Sequence, residues 1–118
     1  MAKPPPTIQK RKDFLACARA RRWAAPGFIL QGRDRGDDQG LRVGYTCSKK
    51  VGNAVTRNRA KRRLRAIAAE ILASQGRPGW DYVLIGRAET TIARPYPELL
   101  GDLQKALTKV HAPRAPKS

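Results

Sequence analysis

Acidic residues are scarce in this chain. Nine Asp and Glu stand against 25 Lys and Arg, a formal net charge of +16 in 118 residues. That imbalance excludes a charge-neutral surface, and its self-repulsion opposes compaction unless a polyanion binds. Nucleic acid is the expected partner. An anionic membrane is the other polyanion to consider, but no apolar run approaches the ~20 residues that span a bilayer. The basic start MAKPPPTIQKRK also lacks the apolar core of a secretory signal. No membrane partner is expected, and the protein is placed in the cytoplasm. Cysteine and histidine are nearly missing too, with only Cys17, Cys47 and His111 present. A four-ligand zinc set cannot be assembled from them. Neither cysteine lies in a C-x-x-C spacing, so both are read as small buried apolar residues. Asp34, Asp37 and Asp38 cluster in a Gly-rich stretch without a histidine, which reads as a solvated turn. The other acids (Asp13, Glu70, Asp81, Glu89, Glu98, Asp102) are scattered. No nucleophile–base pair can be nominated, and Val51-Gly52-Asn53 has no P-loop frame. No catalytic residue, no protein-bound metal and no small-molecule substrate are expected.

What the chain does contain is organised as one small domain. Residues 1–7, with Pro4, Pro5 and Pro6, read as a disordered lead-in, and residues 111–118 as a basic Pro-containing tail. Between them, 8–110 forms the folded part. A first helix is predicted from Ile8 to Ala20, capped by Thr7, with Phe14, Leu15, Ala18 and Cys17 at helical spacing. Trp23 to Ala25 reads as a short edge strand before the Pro26-Gly27 turn. Phe28-Ile29-Leu30 reads as a second strand ending at Gly32, and Gly32 to Gly40 as an exposed loop. Leu41 to Ser48 alternates cleanly: Leu41, Val43, Tyr45 and Cys47 point one way, and Arg42, Gly44, Thr46 and Ser48 the other. A long helix is predicted from Ala54 to Ser74 behind an Asn53 cap. Asp81 to Gly86 is continuous in apolar content, as a central strand would be. Pro97 then opens a last helix, whose Leu99, Leu100, Leu103, Ala106, Leu107 and Val110 form one stripe. Trp23, Trp80 and Tyr82 are read as core or interface aromatics. These elements make one mixed α/β layer domain.

The charge is concentrated in residues 49–65, KKVGNAVTRNRAKRRLR, which hold eight Lys or Arg and no carboxylate. Arg57, Lys61 and Arg65 recur every four residues, with Asn58 and Arg62 on adjacent rows and Arg59 and Arg63 on the other edge. Ala60, Leu64, Ile67 and Ile71 supply an apolar stripe. A merely solvated helix face would offset its bases with acids one turn away, yet the first acid here is Glu70. The helix is therefore read as a cationic rod for successive phosphates. Beside it, the small residues Gly44, Thr46 and Ser48 leave room on one strand face for another backbone. That face suits an extended single strand of nucleic acid, with Phe14 as a stacking surface. The other reading makes Phe14 a core residue and Gly44 the space for a packed helix.

The run RVGYTCSKKVGNAVTRNRAKRRLR (Arg42 to Arg65), with Arg-Asn-Arg at Arg57, Asn58 and Arg59, resembles the signature of the bacterial ribonuclease P protein component. Lys10-Arg11-Lys12-Asp13-Phe14, Gly79 to Arg87 and Tyr96 to Leu107 extend the resemblance over about residues 8–110. It implies an α/β (α+β) two-layer sandwich in the order α-β-β-β-α-β-α, with a left-handed β-α-β crossover. It implies a protein subunit that binds the catalytic RNA, one to one, together with precursor tRNA. The RNA, using magnesium, would perform the endonucleolytic removal of the 5′ leader. The leader cleft implied by position comprises Phe14, Arg42, Gly44, Thr46 and Ser48, with Lys49 and Lys50 at its rim. Arg57, Asn58, Arg59, Lys61, Arg62 and Arg65 would face the catalytic RNA. Ala18 and Gln31 stand where the family often has further aromatics. The alternative is a structural RNA-binding protein of ribosomal type, with no role in cleavage.

Overall fold

The computed structural model describes residues 5–112. Its elements are α1 (Arg11–Ala18), β1 (Arg21–Ala24), β2 (Phe28–Asp34), β3 (Arg42–Thr46), α2 (Ala54–Gln75), β4 (Trp80–Gly86), α3 (Thr90–Ala93) and α4 (Tyr96–His111). The expected α-β-β-β-α-β-α order is present. A single-turn α3 and a 3-10 turn at Lys49–Val51 are added to it.

The four strands lie in the order β1-β2-β4-β3. β2 pairs antiparallel with both β1 and β4, while β3 and β4 are parallel and joined through α2. β4 is thus an inner strand, as its unbroken apolar run requires, because both of its faces are covered. Phe28, Leu30, Val43, Tyr82 and Leu84 point to one face. There they pack with Leu64, Ile67 and Leu72 of α2 and with Leu99, Leu103 and Val110 of α4 to form the main core. The opposite face carries Val83 and Ile85, which gather with Ile8, Phe14 and Cys17. α1 lies over this second face because those side chains would otherwise remain in water. A sheet backed by α2 and α4 is the two-layer body, and α1 is a short cover on its far side.

Several boundaries move. α1 is eight residues, Arg11–Ala18, not the predicted 8–20. Thr7 does not cap it: Thr7 forms a bridge with Val43, and the Val43 amide donates to the Pro6 carbonyl at 2.8 Å. Pro6 to Ile8 therefore run beside β3, using its free edge, a long-range pairing that local spacing does not reveal. Of α1's apolar residues only Cys17 is fully buried; Phe14 is half-buried, and Leu15 and Ala18 are exposed. β2 continues through Gly32 to Asp34, because its pairing with β4 runs on from Phe28↔Gly86 to Asp34↔Trp80. The Gly32–Gly40 loop is shortened accordingly. The expected lead-in 1–7 lies outside the described residues at 1–4, and the tail 111–118 does so at 113–118. His111 itself is the last residue of α4, packed with its ring centroid 4.2 Å from that of Trp80.

Candidate nucleic-acid interface

The basic helix starts where two local signals agree. Gly52 has φ 145°, a conformation few side chains tolerate, and Asn53 caps the helix by accepting from the Thr56 amide at 2.9 Å. Val51, buried, pins the turn that feeds it. Along α2 the residues Ala60, Leu64, Ile67, Ala68, Ile71 and Leu72 are all buried, so the helix has one rotational setting. Its cations are thereby sorted. Arg57, Lys61 and Arg65 lie on the side toward β3, where the Arg65 guanidinium sits 5.5 Å above the Tyr45 ring. Burial pushes the Tyr45 phenol up to about 12, so that ring stays neutral. Arg57 and Lys61 flank the half-buried Cys47. The Arg57 Nε is buried without a hydrogen-bond partner. Asn58, Arg59, Arg62 and Arg65 are exposed. Among the described residues, none of Arg57, Arg59, Lys61, Arg62 and Arg65 has a carboxylate within salt-bridge distance.

Arg63 belongs to a different category. Its Nε donates to the Thr91 carbonyl at 2.9 Å and its Nη2 to the Arg94 carbonyl, so it clamps α3 to α2. It was expected on the cationic edge; the tertiary structure uses it to satisfy carbonyls at a helix end.

On the other side of the sheet, Arg42, Gly44 and Thr46 of β3 face α1. The Phe14 ring lies directly over Gly44: a Cβ there would be 2.3 Å from Phe14 Cε1. Phe14 thus packs on the sheet, and Gly44 makes the space for it. The Cε1–Cζ side of the ring uses the space that Gly44 leaves, while the residue as a whole is half-buried. Arg11, Phe14, Leu15 and Thr46 line an open cavity of about 440 Å³. Among the described residues, Phe14 is the only aromatic on this side, since Trp23, Phe28, Tyr45, Trp80, Tyr82 and Tyr96 all belong to the main core. Ser48, Lys49 and Lys50, exposed, continue from the end of β3 toward the start of α2. The structure thus gathers Phe14, Gly44 and Thr46 into one cleft and leads it toward the cations of α2.

Arg42 is the exception in that set. Its Nε and Nη2 donate to Asp81 at 2.8 Å each, and this pairing raises its pKa. Asp81 is wholly buried and also accepts from Arg35 at 2.6 Å. Arg11 and Leu15 at the cavity and Asp81 beneath it were missed from sequence. Leu15 could have been flagged, because it stands one position off the Phe14–Cys17 stripe. Asp81 carried no signal beyond an acid within an apolar run. Among the described residues no three His, Cys, Asp or Glu converge, and Asp13, Asp37 and Asp81 are paired with arginines.

Residues 3–111 match the model of the Ribonuclease P family. The chain belongs to the ribonuclease P protein family. It is 60% identical over 109 residues to the ribonuclease P protein component of Ruegeria pomeroyi, covering 91% of this chain and 87% of the relative. It is 52% identical to that of Paramagnetospirillum magneticum, covering 92% and 90%. Among solved structures, the Staphylococcus aureus RNase P protein superposes with a TM-score of 0.72 at 24% identity, covering 89% of this chain and 94% of that one. At that identity the match speaks for the ribonuclease P protein fold. Among the described residues no helix is long and apolar enough to cross a membrane.

Proposed function

We propose that this chain is the RNA-binding subunit of ribonuclease P and acts in tRNA 5′-end maturation in the cytoplasm. The observation that carries this reading is the uncompensated cationic strip of α2, beside a cleft floored by Phe14 and Gly44, in a chain of this family. Arg57, Asn58, Arg59, Lys61, Arg62 and Arg65 bind phosphates of the catalytic RNA. The charge-assisted bonds of the four arginines and Lys61 work because, among the described residues, no carboxylate lies within ion-pair distance to compete for them. Phe14, Gly44, Thr46 and Ser48, with Lys49 and Lys50 at the rim, receive the single-stranded 5′ leader of precursor tRNA. A half-buried ring, a backbone-close glycine and two hydroxyls suit an extended strand better than a duplex. Arg42 lines this cleft with its charge already balanced, so it orients rather than attracts.

The chain contributes no catalytic group. Magnesium held by the RNA subunit would supply the Lewis-acid chemistry for phosphodiester hydrolysis. The protein lowers phosphate–phosphate repulsion where RNA and substrate meet, which lets the ions bind at lower concentration. One protein per RNA is proposed.

Reconstitution tests this reading. Full-length protein is added to a bacterial ribonuclease P RNA at low magnesium, and leader release is followed. Stimulated release is expected, together with tighter binding of leader-bearing precursor than of mature tRNA. RNA binding without stimulation would mean a structural RNA-binding protein instead. Cleavage by the RNA-free protein would contradict the assignment of chemistry to the RNA.

A further inference from the structure

α1 is a weak helix by itself. Eight residues are too few to hold in water alone. No side chain caps it, and it begins at Lys10, Arg11 and Lys12, cations at the end of the helix dipole that repels them. Its place over the sheet depends on its tertiary neighbours. Cys17 and Phe14 supply the apolar packing. The remaining tie is ionic. Asp13, the only carboxylate of α1, lies 3.5 Å from Arg33 Nη1 and 3.5 Å from Arg42 Nη2.

Those two arginines are themselves set by register. Arg33 of β2 and Arg42 of β3 stand opposite Asp81 of β4 from its two sides, on the face toward α1. Asp81 takes both Arg42 bonds at 2.8 Å and lies 3.9 Å from Arg33. Arg33, Arg42, Asp81 and Asp13 carry two charges of each sign, a closed neutral set in a strongly cationic chain. Arg35, which also reaches Asp81, is balanced in turn by Asp37 at 3.0 Å. Asp13 therefore does not serve RNA attraction, and it stands next to Phe14 in the chain.

We propose that Asp13 is a positioning residue of the cleft. Through Arg33 and Arg42 it fixes α1, and with it the Phe14 ring, over β3. It thereby sets the preference for leader-bearing precursor without adding to RNA affinity. This rests on the leader-binding reading given above.

The test uses the full chain assembled with a bacterial ribonuclease P RNA. Dissociation constants for precursor tRNA and for mature tRNA are measured with wild type, Asp13→Asn, Arg33→Gln, Phe14→Ala and the Asp13→Asn/Phe14→Ala double variant. Circular dichroism and thermal melts verify the fold. The precursor-to-mature preference should fall roughly 5- to 30-fold in Asp13→Asn, while mature tRNA binds as well as before or slightly tighter. Arg33→Gln breaks the same tie with the opposite change in net charge, and should lower the preference likewise. The double variant should lose no more preference than Phe14→Ala alone, since both act through one ring. An unchanged preference in folded Asp13→Asn, additive losses in the double variant, or opposite shifts in Asp13→Asn and Arg33→Gln would overturn the proposal. If only one single variant folds, its preference decides. A wild type with no preference for leader-bearing RNA would sink the leader reading itself, and this inference with it.

Discussion

Gly44 and Phe14 show how one residue's smallness fixes another's place. An added methyl at Gly44 would overlap Phe14 Cε1 at 2.3 Å and Cζ at 2.7 Å. Gly44→Ala should therefore lower stability by about 1–3 kcal/mol through overpacking, read from the urea midpoint. Adding Phe14→Ala should recover part of that loss. No recovery would mean that the ring is not what the methyl meets. At Arg57 and Arg59 the issue is charge without a partner. Replacing both with alanine should leave circular dichroism unchanged. RNA affinity should drop by about 1–3 kcal/mol for each phosphate no longer held, read by equilibrium binding to the catalytic RNA. Unchanged binding would move the interface elsewhere. By contrast, Arg33, Arg35, Arg42, Arg63 and Arg94 are held by carboxylates or carbonyls of the fold. An arginine count alone overstates the cations available to RNA.

At the scale of elements, α2 is the one most independent of its surroundings. Its cap, its stripe and its cations all follow from spacing within 22 residues. α1 is the opposite case, short and dependent on residues far along the chain. The end of α4 is held by a polar bond: Tyr82 Oη lies 2.7 Å from His111 Nε2 and accepts from the Arg77 amide at 2.9 Å. Burial, then the nearby Arg77 and Arg21 charges, push His111 down to about 4, against a smaller opposing effect of Asp34. The folded value lies below the ordinary imidazole value of about 6.5, so between these limits the unfolded chain binds more protons. This contribution to stability is present above pH ~6.5 and is lost as pH falls toward 4. Urea midpoints across that range should decline in wild type and decline less in His111→Gln. Equal slopes would place the titration elsewhere.

For the whole molecule, the decisive quantity is the +16 charge and its division between two faces. Among the described residues four of the nine acids pair internally with arginines: Asp13 and Asp81 under α1, Asp37 with Arg35, and Asp102 with Arg94 at 2.6 Å. The outer arc of α2 is left cationic. RNA binding should weaken linearly with log[salt], with a slope of roughly −0.7 per single-strand phosphate neutralised. Arg57→Ala with Arg59→Ala should flatten that slope, whereas Asp13→Asn should not. A salt-independent affinity would remove the electrostatic basis of the interface.

Much of this was legible without coordinates because it is local. An Asn before an apolar repeat starts a helix, an alternating run makes a two-faced strand, and an unbroken apolar run goes inside a sheet. The composition likewise demanded a polyanion, since like charges in one small domain must be neutralised from outside. What local spacing could not reveal was which partners meet. Arg42 and Asp81 are 39 positions apart, Thr7 and Val43 pair across α1, and Arg63 finds the Thr91 carbonyl of α3 28 positions on. Only the β1-β2-β4-β3 order brings two arginines to either side of one buried acid. That packing decided which cations are spoken for and which are open, because the strength of an ion pair depends on separation in space and burial, neither of which is a property of neighbouring residues.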